Sequence, residues 1–171
     1  MPLTGKCPPR DDARVAHIQS NAMNFAPGTT PPATGSHAHL RVLLVDDVAM
    51  NRRVAELFLK HLGCTVVATE NVAAAVAQIR AQEFDLVFTD VEMPDTNGIE
   101  AIGMFREADA AAHPERRRRL KIMAVSAGQM GMMHADYLAV GFDEHLAKPI
   151  ELEQLRAVLV KLEGDAAAPT A

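Results

Sequence analysis

Long apolar runs are missing from this chain of 171 residues: although 49% of it is hydrophobic, no stretch approaches the roughly 20 residues that a membrane-spanning helix needs. A soluble domain with a sizeable core is expected. The polar start Met1-Pro2-Leu3-Thr4-Gly5-Lys6 has none of the apolar segment of a secretory signal, so export is not expected. Cysteine is scarce, with two in all. Cys7 lies in a loose leader and Cys64 in an apolar stretch, where a buried free thiol is the natural reading and a disulfide is not. Together these absences predict a cytoplasmic protein. Basic charge is also wanting, since the formal charge is −5 and binding to a phosphate backbone needs a concentrated basic face. One basic run stands out, Arg116 to Arg119, and beside Pro114 and Glu115 it reads as a solvated loop or a partner contact.

What is present divides into three parts. Residues 1–39 hold six of the ten prolines and no sustained periodicity, which predicts a disordered leader. Residues 40–163 form the predicted domain, and residues 164–171, small and polar, a flexible tail.

Within the domain, Val42 to Val45 is an apolar run suited to a strand buried on both faces. Val54, Leu57, Phe58 and Leu62 follow at the spacing of one helix face, and Gly63 closes the helix. The unit then repeats. Strands are predicted over 65–68, 85–89, 121–125 and 145–147, and helices over 72–80, 98–108, about 130–140 (a weaker pattern) and from Leu152 through Leu155 and Leu159 to Leu162. Five such pairs imply a doubly wound parallel α/β sheet with right-handed crossovers, whose ligands gather at the carboxyl ends of the strands.

Three carboxylates fall at those ends, Asp46 and Asp47 after the first strand and Asp90 after the third. Brought together they repel one another and call for a hard divalent cation with oxygen ligands, such as Mg2+. A lone Asp in such a place would be a helix cap. Ser126 ends the fourth strand and Lys148, before Pro149, the fifth. With the cation they could neutralise and hold a phosphoryl group on Asp90.

In five ordered elements the chain resembles the bacterial response-regulator receivers over about residues 40–163. These are Val45-Asp46-Asp47, Phe88-Thr89-Asp90, Met93-Pro94-Asp95-Thr96-Asn97-Gly98, Val125-Ser126-Ala127 and Lys148-Pro149. The resemblance implies a flavodoxin-like five-stranded sheet of order 2-1-3-4-5 with five helices. It implies Asp90 as phosphoacceptor, and Mg2+ at Asp46, Asp47, Asp90 and the Glu92 backbone carbonyl, with Asp47 favoured as direct ligand. Ser126 is then the switch hydroxyl, Lys148 the phosphoryl-contacting lysine, and the bond before Pro149 is cis. His145 stands where the family usually carries Tyr or Phe, which opens a sensitivity to protonation. Glu92 sits where the family tunes dephosphorylation.

The segments 46–53 and 141–150 resemble receivers that work with hybrid kinases, so Asn51 and Arg52 would dock a histidine kinase or histidine-phosphotransfer domain. Such a protein catalyses its own phosphorylation and dephosphorylation and is otherwise no enzyme. With few residues after the last helix, output is expected through a downstream partner protein. A phosphatase of the haloacid-dehalogenase type uses similar groups, but there the acidic pair comes last in chain order. A flavodoxin-type cofactor carrier needs a phosphate-cradling loop where Asp46 and Asp47 stand. A pure interaction module with this fold would have no use for all five polar residues.

Overall fold

The computed structural model describes residues 37–94, 98–128 and 131–167. The leader over 1–36, Asp95, Thr96 and Asn97 of the turn, Met130 at the start of the fourth predicted helix, and residues 168–171 lie outside the described residues.

Five strands alternate with five helices: β1 (Arg41–Val45), α1 (Ala49–His61), β2 (Thr65–Thr69), α2 (Val72–Ala81), β3 (Leu86–Asp90), α3 (Gly98–Ala112), β4 (Lys121–Ser126), α4 (His134–Ala139), β5 (Glu144–Ala147) and α5 (Leu152–Ala167). All strand pairs are parallel and the order is β2-β1-β3-β4-β5. This is the flavodoxin-like arrangement the resemblance implied. The winding of the chain across the sheet reverses between β1 and β3, and in open sheets of this kind ligands bind outside the strand ends at that point.

Alternation along the strands builds two cores. Leu43, Val45, Val87, Ile122 and Ala124 face α2 and α3 through Val72, Ile79, Ile102 and Phe105, with Tyr137 of α4 joining them. Val42, Leu44, Leu86, Phe88, Met123 and Val125 face α1 and α5 through Ala55, Leu59, Leu155 and Leu159. A central parallel strand needs apolar residues at every position for this reason.

Five expectations are corrected. On α1 the buried stripe is Ala55, Leu59 and Leu62 with Phe58 partly buried, whereas Val54 and Leu57 are 38% and 51% exposed. Rows spaced by three or four on a helix overlap, and only one lies over the sheet. The third helix runs on to Ala112, so Asp109 belongs to it and not to the following loop. In that loop Arg116 is not solvated: it pairs with Asp109 at 2.5 Å and donates to the Phe84 carbonyl, leaving Arg117, Arg118 and Arg119 exposed. At the ends, α4 has six residues and begins at His134, after Gly131 at φ +65°, while α5 continues past Gly164 into the predicted tail.

Turns position the ends of α1 as expected. Gly63 takes φ +94°, a left-handed conformation that glycine adopts without steric cost. Cys64 is buried and free, and burial, with Glu163 and Asp85 nearby, pushes its thiol up to about 11. Among the described residues no helix is long and apolar enough to cross a membrane.

Candidate functional site

Parallel pairing of β1 and β3, with Val45 opposite Thr89, sets the residues that follow Val45 beside the last residue of β3. Asp46, Asp47 and Asp90 each bring a carboxylate oxygen within 4.8 Å of the other two. Asp46 and Asp90 are buried, each 3% exposed, and Asp47 is exposed.

Local hydrogen bonds aim the two buried acids. The Val48 N–H donates to Asp46 Oδ1 at 2.8 Å, and the Glu92 N–H donates to Asp90 Oδ1 at 2.9 Å. The Thr89 hydroxyl donates to the Asp90 carbonyl at 3.1 Å. Behind Asp90 the chain passes close to α3: a Cβ on Gly98 would lie 2.5 Å from Val91 Cα and 2.6 Å from the Asp90 carbonyl oxygen. Glycine is required there by packing, which gives the Gly98 of the sequence motif its physical reason.

Lys148 enters from the end of β5, after its own N–H has bonded the Ser126 carbonyl at 2.8 Å. Its ammonium lies 3.0 Å from Asp46 Oδ2 and contacts Asp90 Oδ2. Burial alone would lower the pKa of this amine, but the bonds to Asp90 and Asp46 outweigh it and hold the group above the ordinary lysine value. The Lys148–Pro149 peptide bond is cis.

The donor set fits a divalent, oxygen-seeking cation. Three converging carboxylates against one ammonium leave an excess of negative charge, and two of the acids are withdrawn from water.

Ser126 lies on the same rim, at the end of β4, and is 1% exposed. Its hydroxyl is engaged elsewhere, accepting from the Tyr137 hydroxyl at 3.0 Å and meeting His145 Nε2 at 2.9 Å. The rings of Tyr137 and His145 stack, with centroids 4.2 Å apart and 13° between planes. Burial and the neighbouring His134 lower the pKa of His145, against the raising effect of Glu144.

Asn51 and Arg52 are both partly buried on α1. Arg52 turns toward its own chain, donating to the Asp46 carbonyl at 2.5 Å. Tyr137 was not singled out by the sequence. Its signal was chemical, since the chain's single tyrosine placed in a core needs a partner for its hydroxyl.

The chain is similar to known proteins. The sensor histidine kinase AruS of Pseudomonas aeruginosa is 37% identical over 133 residues, which is 77% of this chain and 13% of that protein. The virulence sensor protein BvgS of Bordetella parapertussis is 35% identical over 161 residues, 93% of this chain and 13% of that protein. The chain thus spans about an eighth of the length of these curated relatives. Among solved structures, the receiver domain of the Pseudomonas aeruginosa sensor histidine kinase PA1611, with a magnesium ion coordinated in its active-site cleft, superposes with a TM-score of 0.59 at 27% identity, covering 73% of this chain and 98% of that one. The family model described as the response regulator receiver domain matches residues 42–160, and with the sheet order and the acid-and-lysine rim in place the chain belongs to the response-regulator receiver family.

Proposed function

We propose that this protein is a phosphoacceptor switch of a two-component phosphorelay, in which Asp90 takes a phosphoryl group from a phosphohistidine donor and the domain changes shape in response. The observation that carries this is the convergence of Asp46, Asp47 and Asp90 under the Lys148 ammonium. Mg2+ would be held by those three carboxylates and the Glu92 backbone carbonyl. When bound, it supplies positive charge to the oxygens of the transferring group.

The protein's own part is positioning. The Glu92 N–H and Lys148 grip the two oxygens of Asp90, which fixes the carboxylate for in-line attack. In the transfer the donor's N–P bond breaks, an O–P bond to Asp90 forms, and the leaving imidazole takes its proton from solvent. Charge on the transferring group is spread over its equatorial oxygens. Lys148 neutralises part of that charge, and Ser126 donates to the bound phosphoryl group. Hydrolysis of the acyl phosphate by the same site returns Asp90 and resets the switch. Asn51, with the adjoining surface of α1, is the proposed docking edge for a histidine kinase or histidine-phosphotransfer domain, and a partner protein reads the altered surface. Arg52, bonded to the Asp46 carbonyl, serves first to hold the acidic pair. The domain is proposed to begin at His37, since this residue is 4% exposed and bonds Glu163 of α5 at 2.8 Å.

The test is labelled transfer from a phosphorylated histidine-phosphotransfer domain, with the product mapped by mass spectrometry. Label is expected on Asp90, base-labile, and absent from Asp90→Asn, whose amide is nearly the same shape but a far poorer nucleophile. Label on another residue, or transfer to Asp90→Asn at the wild-type rate, overturns the assignment.

A further inference from the structure

The hydroxyl of Ser126 sits between two rings. Tyr137 donates to its oxygen at 3.0 Å and His145 Nε2 lies 2.9 Å away on the other side. Ser126 is 1% exposed and Tyr137 is fully buried, so the single Ser126 proton needs an acceptor within the protein. The bare Nε2 of a neutral imidazole provides one. The chain of donation then runs Tyr137 to Ser126 to His145, and the tautomer follows from satisfying every proton. In this arrangement the proton that Ser126 would give to a phosphoryl group is already committed.

A protonated imidazole cannot accept. With a proton on Nε2, His145 becomes a donor to Ser126 Oγ, that oxygen accepts from His145 and Tyr137 together, and its own proton is freed. We propose that uptake of a proton by His145 releases the Ser126 hydroxyl for a phosphoryl group on Asp90, so that phosphorylation and His145 protonation favour one another. The inference rests on the assignment of Asp90 as acceptor and Ser126 as its partner. Tyr137 and His145 are positioning residues in it, acting through Ser126.

The surroundings set the direction. His134 of α4 faces His145 with ring centroids 6.2 Å apart, and its own Nε2 lies 3.1 Å from Glu144 of β5. The other Glu144 oxygen lies 2.6 Å from Lys161 of α5, so this carboxylate is shared and only partly available to His145. Tyr137 stacks on the ring from α4, and Lys148 lies three residues along the chain. Burial and His134 hold His145 below the ordinary histidine value, which favours the acceptor form in the unliganded domain. A phosphoryl group at the rim adds negative charge and removes the acceptor role at once, and both effects favour the imidazolium. Linkage is reciprocal, so whatever raises the affinity of His145 for a proton is returned as affinity of the acidified protein for the phosphoryl group.

The experiment uses the full chain with beryllofluoride and Mg2+ as the phosphoryl mimic, its affinity measured from about pH 8 to about pH 5.5, the range over which histidine charges. Asp90→Asn is the blank. For each unit by which the mimic raises the His145 pKa, the affinity is expected to tighten up to about tenfold over this range. His145→Phe, which neither titrates nor accepts, is expected to lose that gain. The imidazole signals of wild-type His145 provide the second reading: a bare Nε2 without the mimic, and a titration midpoint displaced upward with it. An unchanged midpoint, an Nε2–H tautomer in the unliganded protein, or a His145→Phe variant with the wild-type slope overturns the inference while leaving Asp90 as acceptor. Failure of the mimic to bind at any pH overturns the acceptor assignment, and this inference with it.

Discussion

Lys148 stands where the cation would otherwise do all the neutralising, touching both buried acids of the rim. Its raised pKa fixes the sign of what it contributes. A lysine held above its ordinary value stabilises the fold fully below that value and loses the contribution as pH climbs through the folded one, so at neutral pH the whole of it is present. Lys148→Ala therefore leaves Asp46 and Asp90 facing each other without compensation. The variant is expected to lose about 1–3 kcal/mol in urea unfolding without magnesium, to recover much of it with magnesium, and to bind the ion more tightly than wild type. Equal stability in both conditions would show that the ammonium does not offset the acids. The acids, Ser126 and Lys148 could be found in the sequence because each is a distinctive residue type at a strand end, and the strand ends were readable. Arg52 and Tyr137 could not, because what each bonds is decided by tertiary packing: a helix arginine reads as surface, and a tyrosine among apolar neighbours reads as core.

At the scale of the element, α1 shows what periodicity decides and what it leaves open. The spacing gave one face of Val54, Leu57, Phe58 and Leu62 and a stop at Gly63, yet Val54 and Leu57 are exposed, and it is Ala55 and Leu59 that join Leu62 against the sheet. Two rows of apolar residues run along this helix one position apart, and nothing within the helix says which row meets β1. The difference is measurable by paired substitutions. Leu59, fully buried, is expected to cost about 2–5 kcal/mol when replaced by alanine, whereas Leu57→Ala is expected to stay within about 0.5 kcal/mol of wild type. Chemical denaturation of the two variants checks the assignment, and a reversed order would restore the first placement. The central strands β1, β3 and β4 were easier, because residues buried on both faces form apolar runs that no register error can hide. Helix ends were harder. The last turn of α3 is held by a distant partner, Arg116 on Asp109, and α4 has a single buried residue, Tyr137, too little apolar surface for a periodic signal.

For the whole molecule, cohesion between elements far apart in sequence passes through Asp143, just before β5. Its carboxylate accepts from the Ile122 N–H of β4 at 3.0 Å, from Arg106 of α3 at 3.2 Å and from Lys121 at 3.3 Å, while Arg106 also donates to the Leu120 and Gly141 carbonyls. One acid thus fastens α3, β4 and the entry to β5 at the end of the sheet opposite the acidic rim. Burial works to raise its pKa, but the Ile122 bond, Lys121, Arg119 and Arg106 together lower it below the ordinary 3.8. A depressed carboxylate stabilises the fold fully above its ordinary value and loses the contribution as pH falls through the folded one. Acid should therefore weaken the protein below about pH 4, and Asp143→Asn should be less stable than wild type at neutral pH, with the gap closing as the pH falls through that window. The amide still accepts from Ile122 but no longer attracts Arg106 and Lys121, which separates the charge from the hydrogen bond. Unfolding midpoints of the two proteins from neutral pH down to about pH 3 make the check. A gap that stays constant with pH would mean that the Asp143 charge adds nothing to the fold beyond its hydrogen bonds.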